Sequence, residues 1–483
     1  MILAIIIIGF WFHYALGQKY GIPIPTIHDE MAYLLSSDTF TQGHLTNPTH
    51  PFWEHFQTFH VFFQPTYQSK YPPAQGFFLA IGQKVFGEPI FGVWINMALS
   101  YGAIYWLFLS ALSPFHAFLG TLFVVIQPNI ATHWGHTYWG GGAALLGGIL
   151  FFGGIRHSKK MITIGNTILL SLGLFILANS RPFEGCVIFI VSIPVLIGIF
   201  IKESAVQGRQ KIVKNYVLPL CISGVIIITW ILYYNKIITG DPLKYYYSNW
   251  DAKTATVDLI KRYKGSPQIS VLQKLDRLWQ FFIGQYLCLA FIAFPFILRR
   301  KEYIFEFLSI IILLSISPFN SKAWPHYLAP VAGIGYLIIY MGFYELLRIK
   351  KVKNQNLPRT VFVIIISFYF ILTISGTYVL FENGPPRPYV GNLHFKKRIV
   401  SKLEMETGKD IVIMHYEKKH SIHEEWVYNR ADIDGAEIVW ARDLGREKNR
   451  RLFEYYNDRI VWALYPDSNP MKLIKMGNAS DLK

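Results

Sequence analysis

Residues 1–33 read MILAIIIIGFWFHYALGQKYGIPIPTIHDEMAY: an apolar run through Leu16, a short polar break, then the adjacent carboxylates Asp29 and Glu30. An apolar stretch that ends in a charged loop is the pattern of a membrane helix, which needs about 20 residues to cross a hydrocarbon core about 30 Å thick. The run lacks the basic region and small-residue cleavage site of a signal peptide. Its shortness leaves open a start upstream or a helix that begins at the membrane edge.

The pattern recurs. Apolar runs at 1–16, 90–111, 116–132, 139–155, 162–180, 184–202, 215–236, 279–298, 303–319, 326–347 and 360–381 predict a mainly α, polytopic transmembrane helix bundle of about 11 spans. The glycines of 140–154 suit close packing of helices in lipid. The whole chain agrees: 483 residues, 52% hydrophobic and 16% charged, against about 25% charged in soluble domains. Aromatic residues make up 16%, too many for a disordered chain. Cys186, Cys221 and Cys288 all sit in apolar runs, which excludes a disulfide framework or a zinc ribbon.

Basic clusters orient the bundle. Arg156–Lys160, Lys202–Lys214, Arg299–Lys301 and Arg348–Lys353 fall in alternate short loops, which the positive-inside rule places in the cytoplasm. The N-terminus is then cytoplasmic, and residues 17–89, 237–278 and 383–483 lie outside. This topology accounts for the net charge of +16, so no nucleic-acid partner is called for. Span interiors carry almost no ionisable groups, whereas coupled pumps need them. The polar chemistry lies in the outer loops, which favours an enzyme at the outer face over a carrier.

After Gly384-Pro385-Pro386 the charged residues become dense and mixed in sign. Amphipathic helices are expected at Lys396–Glu406 and Glu447–Asn457, and strands at Asp410–Tyr416, Glu437–Ala441 and Arg459–Tyr465. The chain thus divides into a transmembrane domain, 1–382, and a small soluble α/β domain, 383–483. The second acts as a cap over the catalytic loops or helps to choose the acceptor.

The first outer loop holds most of the reactive side chains: His28-Asp29-Glu30, Asp38, His44, His50, Glu54, His55, His60 and Lys70-Tyr71-Pro72-Pro73. A carboxylate just above the membrane can take a proton from an acceptor hydroxyl or bind a divalent metal; alternatively, Asp29-Glu30 is a solvated loop start. His133 and His136, three apart, could face one cation on a helical turn, or be interfacial histidines among Trp134, Tyr138 and Trp139. Tyr245-Tyr246-Tyr247 and Trp250 suit sugar stacking or an interfacial lid. His420, His423 and Glu424, and likewise Asp432 and Asp434, are candidate metal or nucleotide-sugar ligands or solvated loops.

Four stretches carry a resemblance: His28-Asp29-Glu30-Met31-Ala32-Tyr33, Ser69-Lys70-Tyr71-Pro72-Pro73-Ala74-Gln75, Asn179-Ser180-Arg181-Pro182-Phe183-Glu184 and His326-Tyr327-Leu328-Ala329-Pro330. In order and common sidedness, over roughly residues 1–345, they resemble the GT-C superfamily of integral membrane glycosyltransferases, nearest its protein O-mannosyltransferase and lipid A aminoarabinose transferase branch. The resemblance implies a polyprenyl-phosphate sugar donor, an unidentified lipid, glycan or protein acceptor, and a bacterial cytoplasmic membrane. Asp29 would be the base, Glu30 its helper or a metal ligand, and Lys70 a cation near the donor phosphate. A divalent metal of unassigned identity is a candidate cofactor. Many relatives carry a second acidic residue where His133 and His136 stand, and this loop has none.

Arg181 could pair with phosphate oxygens while Glu184 orients it; otherwise Pro182 makes a turn with an interfacial ion pair. His326 and Tyr327 could hydrogen-bond the same phosphate, or belong to an aromatic belt. The expected function is transfer of a sugar from the lipid donor at the outer face. Transport of a lipid-linked glycan and ligation of preassembled oligosaccharides are the alternatives.

Overall fold

The glycine-rich stretch forms the helix Gly141–Ser158, buried along almost its whole length. A side-chain carbon on Gly148 would lie 1.8 Å from the carbonyl oxygen of Pro330, and one on Gly173 would lie 2.4 Å from the amide of Phe151. Glycine at these two positions lets the helices Ile164–Ala178 and Ala329–Leu346 meet Gly141–Ser158 backbone to backbone. Ile90–Leu109 packs beside them as a second buried helix.

The computed structural model describes residues 1–249, 269–284, 287, 295, 297–319, 323–347, 357–382, 393–406 and 408–482. Among them, Ile2–Tyr20, Ile90–Leu109, Pro182–Gln207 and Arg209–Thr239 are long and apolar enough to cross a membrane. Pro182–Gln207 and Leu218–Thr239 expose Ile190, Ile197, Ile201, Ile222, Val225 and Ile228. So much contiguous apolar surface suits lipid and not water. The chain is a mainly helical, multi-pass membrane protein. Helices also form at Pro114–Val125, Ile304–Ile316 and Leu357–Glu382.

One expected span departs from the sequence reading. Residues 279–282 end an amphipathic helix, Val271–Phe282, started by a capping box in which Ser270 Oγ accepts from Gln273 N and Gln273 Oε1 accepts from Ser270 N. Its first turns are too polar for lipid; most of 285–298 lies outside the described residues.

The long loop after the first helix is folded. Helices His28–Thr41 and Ala74–Phe86 pack together. Between them the strands β1 (Asn47–Pro48), β2 (Val61–Phe62) and β3 (Thr66–Ser69) pair antiparallel in the order β1-β3-β2.

Beyond the helix Leu393–Glu404, strands β4 (Asp410–Met414), β5 (Ile438–Arg442), β6 (Ile460–Tyr465) and β7 (Lys472–Asn478) form one sheet in the order β5-β4-β6-β7. β4, β5 and β6 are parallel and β7 is antiparallel to β6. The parallel strands are almost continuously apolar, as strands covered on both faces must be. This sheet docks on the loop that follows the first helix. Asp38 Oδ2 accepts from Ala431 N at 2.8 Å, Arg442 Nε donates to the Gln57 carbonyl at 2.7 Å, and Tyr67 OH donates to the Asn429 carbonyl at 3.1 Å.

Candidate active site

The helix His28–Thr41 starts at Ile27, whose side chain cannot cap. Glu30, in the first turn, reaches back instead. Its Oε2 accepts from Thr26 N at 2.8 Å and Thr26 Oγ1 at 3.1 Å, and its Oε1 accepts from Tyr138 N at 3.0 Å. These bonds satisfy backbone donors of two flanking loops and put negative charge at the positive end of the helix. Tyr138 is also held by Gln75 Nε2, which donates to its carbonyl at 3.1 Å. Glu30 therefore ties three loops together.

Asp29, one residue earlier, faces the other way. Its side chain is 27% exposed, whereas Glu30 is 4% exposed. Tyr71 OH donates a hydrogen bond to Asp29 Oδ1. Burial pushes the Tyr71 phenol well above its usual range, so it remains a donor. Tyr71 stacks on Tyr33 with ring centres 4.7 Å apart and lies 6.1 Å from Tyr247. Lys70 Nζ sits 5.4 Å from the Tyr71 ring and 5.9 Å from the Tyr247 ring. Burial pulls the Lys70 ammonium down to about 8, against the pull of the Asp29 charge.

Arg181 comes from a different loop. Ala74 N donates to the Asn179 carbonyl at 2.9 Å, which joins the segment containing Lys70 to the one containing Arg181. The Arg181 guanidinium lies 5.1 Å from the Tyr327 ring centre, and the charges of Arg181, Glu184 and Asp29 all act on Tyr247. Asp29, Lys70, Arg181, Glu184 and Tyr327 thus gather around one group of tyrosines that includes Tyr33, Tyr71 and Tyr247. His326 packs against Trp324 and Trp139, and Arg181 lies close enough for its charge to act on it.

His28 and His60 complete the surroundings of Asp29. His28 Nδ1 lies 3.6 Å and His60 Nε2 3.9 Å from Asp29 Oδ2. The His60 backbone has φ +63°, a left-handed conformation uncommon outside glycine. Burial pulls His28 down to about 4 and His60 well below its usual value, so both are neutral at physiological pH. One ligand atom each from His28, Asp29 and His60 lie within 4.8 Å of one another, a donor set that can hold a divalent cation.

His133 and His136 do not converge. Residues 130–134 form a π-helix, whose wider turn takes positions three apart off a common face. His133 packs between Trp139 and Phe281, while the backbone at Gly135, next to His136, lies against the His13 ring of the first helix. His420 and His423 also separate. His420 Nδ1 is 2.6 Å from Asp467 Oδ1, and the His423 ring centre lies 5.2 Å from that of His28. Asp434 accepts from Tyr456 OH at 2.6 Å and Tyr455 OH at 2.9 Å, and lies 3.0 Å from His50 Nε2. Its carboxylate serves docking. Trp250 lies outside the described residues.

Two cavities flank the site. One of about 260 Å³ is lined by Glu30, His133, Trp139, Trp324, Phe281 and Asn129 among others, with Arg277 stacked 4.5 Å from Trp324. The other, about 710 Å³ and almost wholly apolar, runs between Val271–Phe282, Ile304–Ile316 and Ala329–Leu346. Leu328 lies on its wall, next to Tyr327.

No protein-family profile and no curated protein sequence matches the chain. Solved structures do. ArnT from Cupriavidus metallidurans in the apo state superposes with a TM-score of 0.59 at 10% identity, covering 96% of this chain and 92% of that one. ArnT from the same organism bound to undecaprenyl phosphate gives 0.60 at 13% identity with the same coverage. Likeness over nearly the whole of both chains at so low an identity is a likeness of fold, and that fold is the GT-C fold of integral membrane enzymes.

Proposed function

We propose that this protein is a membrane glycosyltransferase that moves a sugar from a polyprenyl-phosphate donor to an acceptor at the outer membrane face. The observation that carries the reading is this cluster of charged groups and tyrosines. A partly exposed carboxylate, Asp29, shares tyrosine neighbours with two cations from separate loops, Lys70 and Arg181. In the reaction an acceptor hydroxyl attacks the anomeric carbon, the bond from that carbon to the phosphate oxygen breaks, and Asp29 takes the hydroxyl proton. The leaving group is a phosphate anion, so cations and a fixed hydrogen-bond donor such as Tyr327 favour its departure. Attack opposite the leaving group inverts the sugar carbon. The apolar groove beginning at Leu328 suits the prenyl chain, and the aromatic cavity with amide and hydroxyl edges suits a sugar ring.

His28, Asp29 and His60 fit a divalent cation, which would supply Lewis-acid charge beside the phosphate. Glu30 serves as the tie that aims Asp29. On this reading the basic loops are cytoplasmic, about 11 spans cross the bilayer, and the soluble part from 383 onward caps this cluster from outside. The fold is shared with ArnT, crystallised with undecaprenyl phosphate, which favours a single-sugar lipid donor over ligation of long chains.

A structure of the protein soaked with a polyprenyl phosphate tests the reading. The phosphate oxygens are expected about 2.7–2.9 Å from nitrogens of Lys70 and Arg181. A phosphate bound beyond the reach of both would sink it.

A further inference from the structure

The imidazole of His28 is buried, and neither ring nitrogen has a hydrogen-bond partner. Leaving buried polar atoms unsatisfied is costly, so the site is built for a group the protein itself does not provide. His28, Asp29 and His60 already offer three ligand atoms. A fourth side chain comes from nearly 400 residues away. His423, in the turn Ile422–Glu424 between β4 and β5, sets its ring at 60° to His28, with ring centres 5.2 Å apart. Its charge acts on both His28 and His60.

We propose that His423 is the fourth ligand of a first-row divalent cation of the zinc class, held with His28, Asp29 and His60, so that the ion clasps the C-terminal sheet to the catalytic helix. Three imidazoles and one carboxylate are a donor set for such a cation and a poor one for magnesium or calcium, which prefer oxygen. Tetrahedral bonds of about 2.0–2.1 Å put ligand atoms about 3.3 Å apart. The separations of 3.6 Å and 3.9 Å around Asp29 need only small side-chain rotations to close to that value. The groups facing the site also include Lys70 and Glu425, of opposite charge. The backbone between β4 and β5 is fastened on both sides of the turn. Before it, Glu417 N donates to Asp467 Oδ2 at 2.9 Å and His420 Nδ1 lies 2.6 Å from Asp467 Oδ1; after it, Glu425 pairs with Arg442. His423 is therefore presented by a braced loop.

The site of Asp29 is that of the proposed transferase, but the inference is tested without turnover, so either can fail alone. Full-length protein in detergent is stripped with chelator and titrated with Zn²⁺ by calorimetry, and the Co²⁺ form is read by visible absorption. Expected are one ion per chain and the strong visible bands of tetrahedral Co²⁺. His423→Ala should weaken Zn²⁺ by roughly 100-fold, the upper end of the 10–100-fold typical of outer-shell partners. His423→Asp, which restores a ligand atom, should recover most of that loss, and His44→Ala, at an exposed site, should change nothing. Zn²⁺ should also slow hydrogen exchange of residues 415–428 in the parent protein and not in His423→Ala. Unchanged Zn²⁺ affinity in His423→Ala, or no stoichiometric ion in the parent protein, overturns the proposal.

Discussion

Asp29 and Glu30 are neighbours in one helical turn, yet the regions in front of them have opposite characters. Before Asp29 lies a cluster of Lys70, Arg181, Tyr71, Tyr247 and two histidines, and the carboxylate keeps partial access to solvent. Behind Glu30 lies a wall of backbone amides that consume both carboxylate oxygens. An acceptor already saturated by fixed donors has little basicity left to offer, whereas one held by a single tyrosine can accept a proton from an incoming hydroxyl. The difference teaches that the pair divides labour: one carboxylate reacts, and the other fixes the loop from which it reacts.

The sharpest way to break this comparison is to neutralise each carboxylate in turn. Asp29→Asn keeps the shape and removes the base, so transfer should fall by roughly 10²–10⁴, with the thermal midpoint of the chelator-stripped protein unchanged. Glu30→Gln leaves one of the two backbone amides without an acceptor, at a cost of about 1–3 kcal/mol. That variant should unfold earlier and lose less turnover than Asp29→Asn. Equal losses of activity, or a stable Glu30→Gln protein with no turnover, would reverse the assignment.

Part of this picture was legible in the sequence. The glycines of 140–154 announced close packing because a helix with so few side chains can bury itself only against other backbones, and Gly148 against Pro330 is that contact. The apolar strands β4, β5 and β6 were readable for a similar reason, since covered strands lose their polar alternation. β7 was not. It is an edge strand with Lys472 and Lys475 exposed, and its pattern resembles a loop. The pair Asp29-Glu30 was visible as a pair, but its division was not, because that depends on Tyr138, brought up 108 residues later in the chain. His133 and His136 misled for a local reason: the i, i+3 rule assumes an α-helix, and a π turn stands there. His423 stood out only as a candidate ligand beside His420 and Glu424; its place next to His28 follows from the docking of the whole sheet.

The next test concerns the charge in front of Asp29. Lys70→Met keeps the stem and removes the ammonium, and loss of one charge-assisted bond of about 1.5–3 kcal/mol should weaken donor binding roughly 10- to 100-fold. The pH dependence has a defined sign. In the free protein burial holds Lys70 near 8, below the usual value for lysine. The cationic form that binds phosphate dominates below about pH 8 and is lost as pH rises through that value. Donor affinity should therefore fall above about pH 8 in the parent protein, and the fall should vanish in Lys70→Met. A pH-independent parent affinity between 7 and 10 would show that Lys70 does not meet the phosphate.

The smallest expected effect lies in the single tyrosine that distinguishes the Asp29 side. Tyr71→Phe removes one hydroxyl and keeps the ring stacked on Tyr33 and beside Lys70. What is lost is the hydrogen bond to Asp29 Oδ1, which fixes the direction in which the carboxylate points. A hydrogen bond to a charged group is worth about 1.5–3 kcal/mol, but solvent reaches Asp29 and a water can replace the phenol, so the net loss should be nearer 1 kcal/mol, about fivefold in rate. Because the bond aims the base and does not touch the phosphate, kcat should carry the loss while KM for the donor stays constant. Tyr247→Phe is the comparison variant, since its ring belongs to the same cluster without a recorded bond to Asp29. If Tyr71→Phe raises KM and leaves kcat alone, the tyrosine belongs to donor binding, and Asp29 must be aimed by its neighbouring histidines.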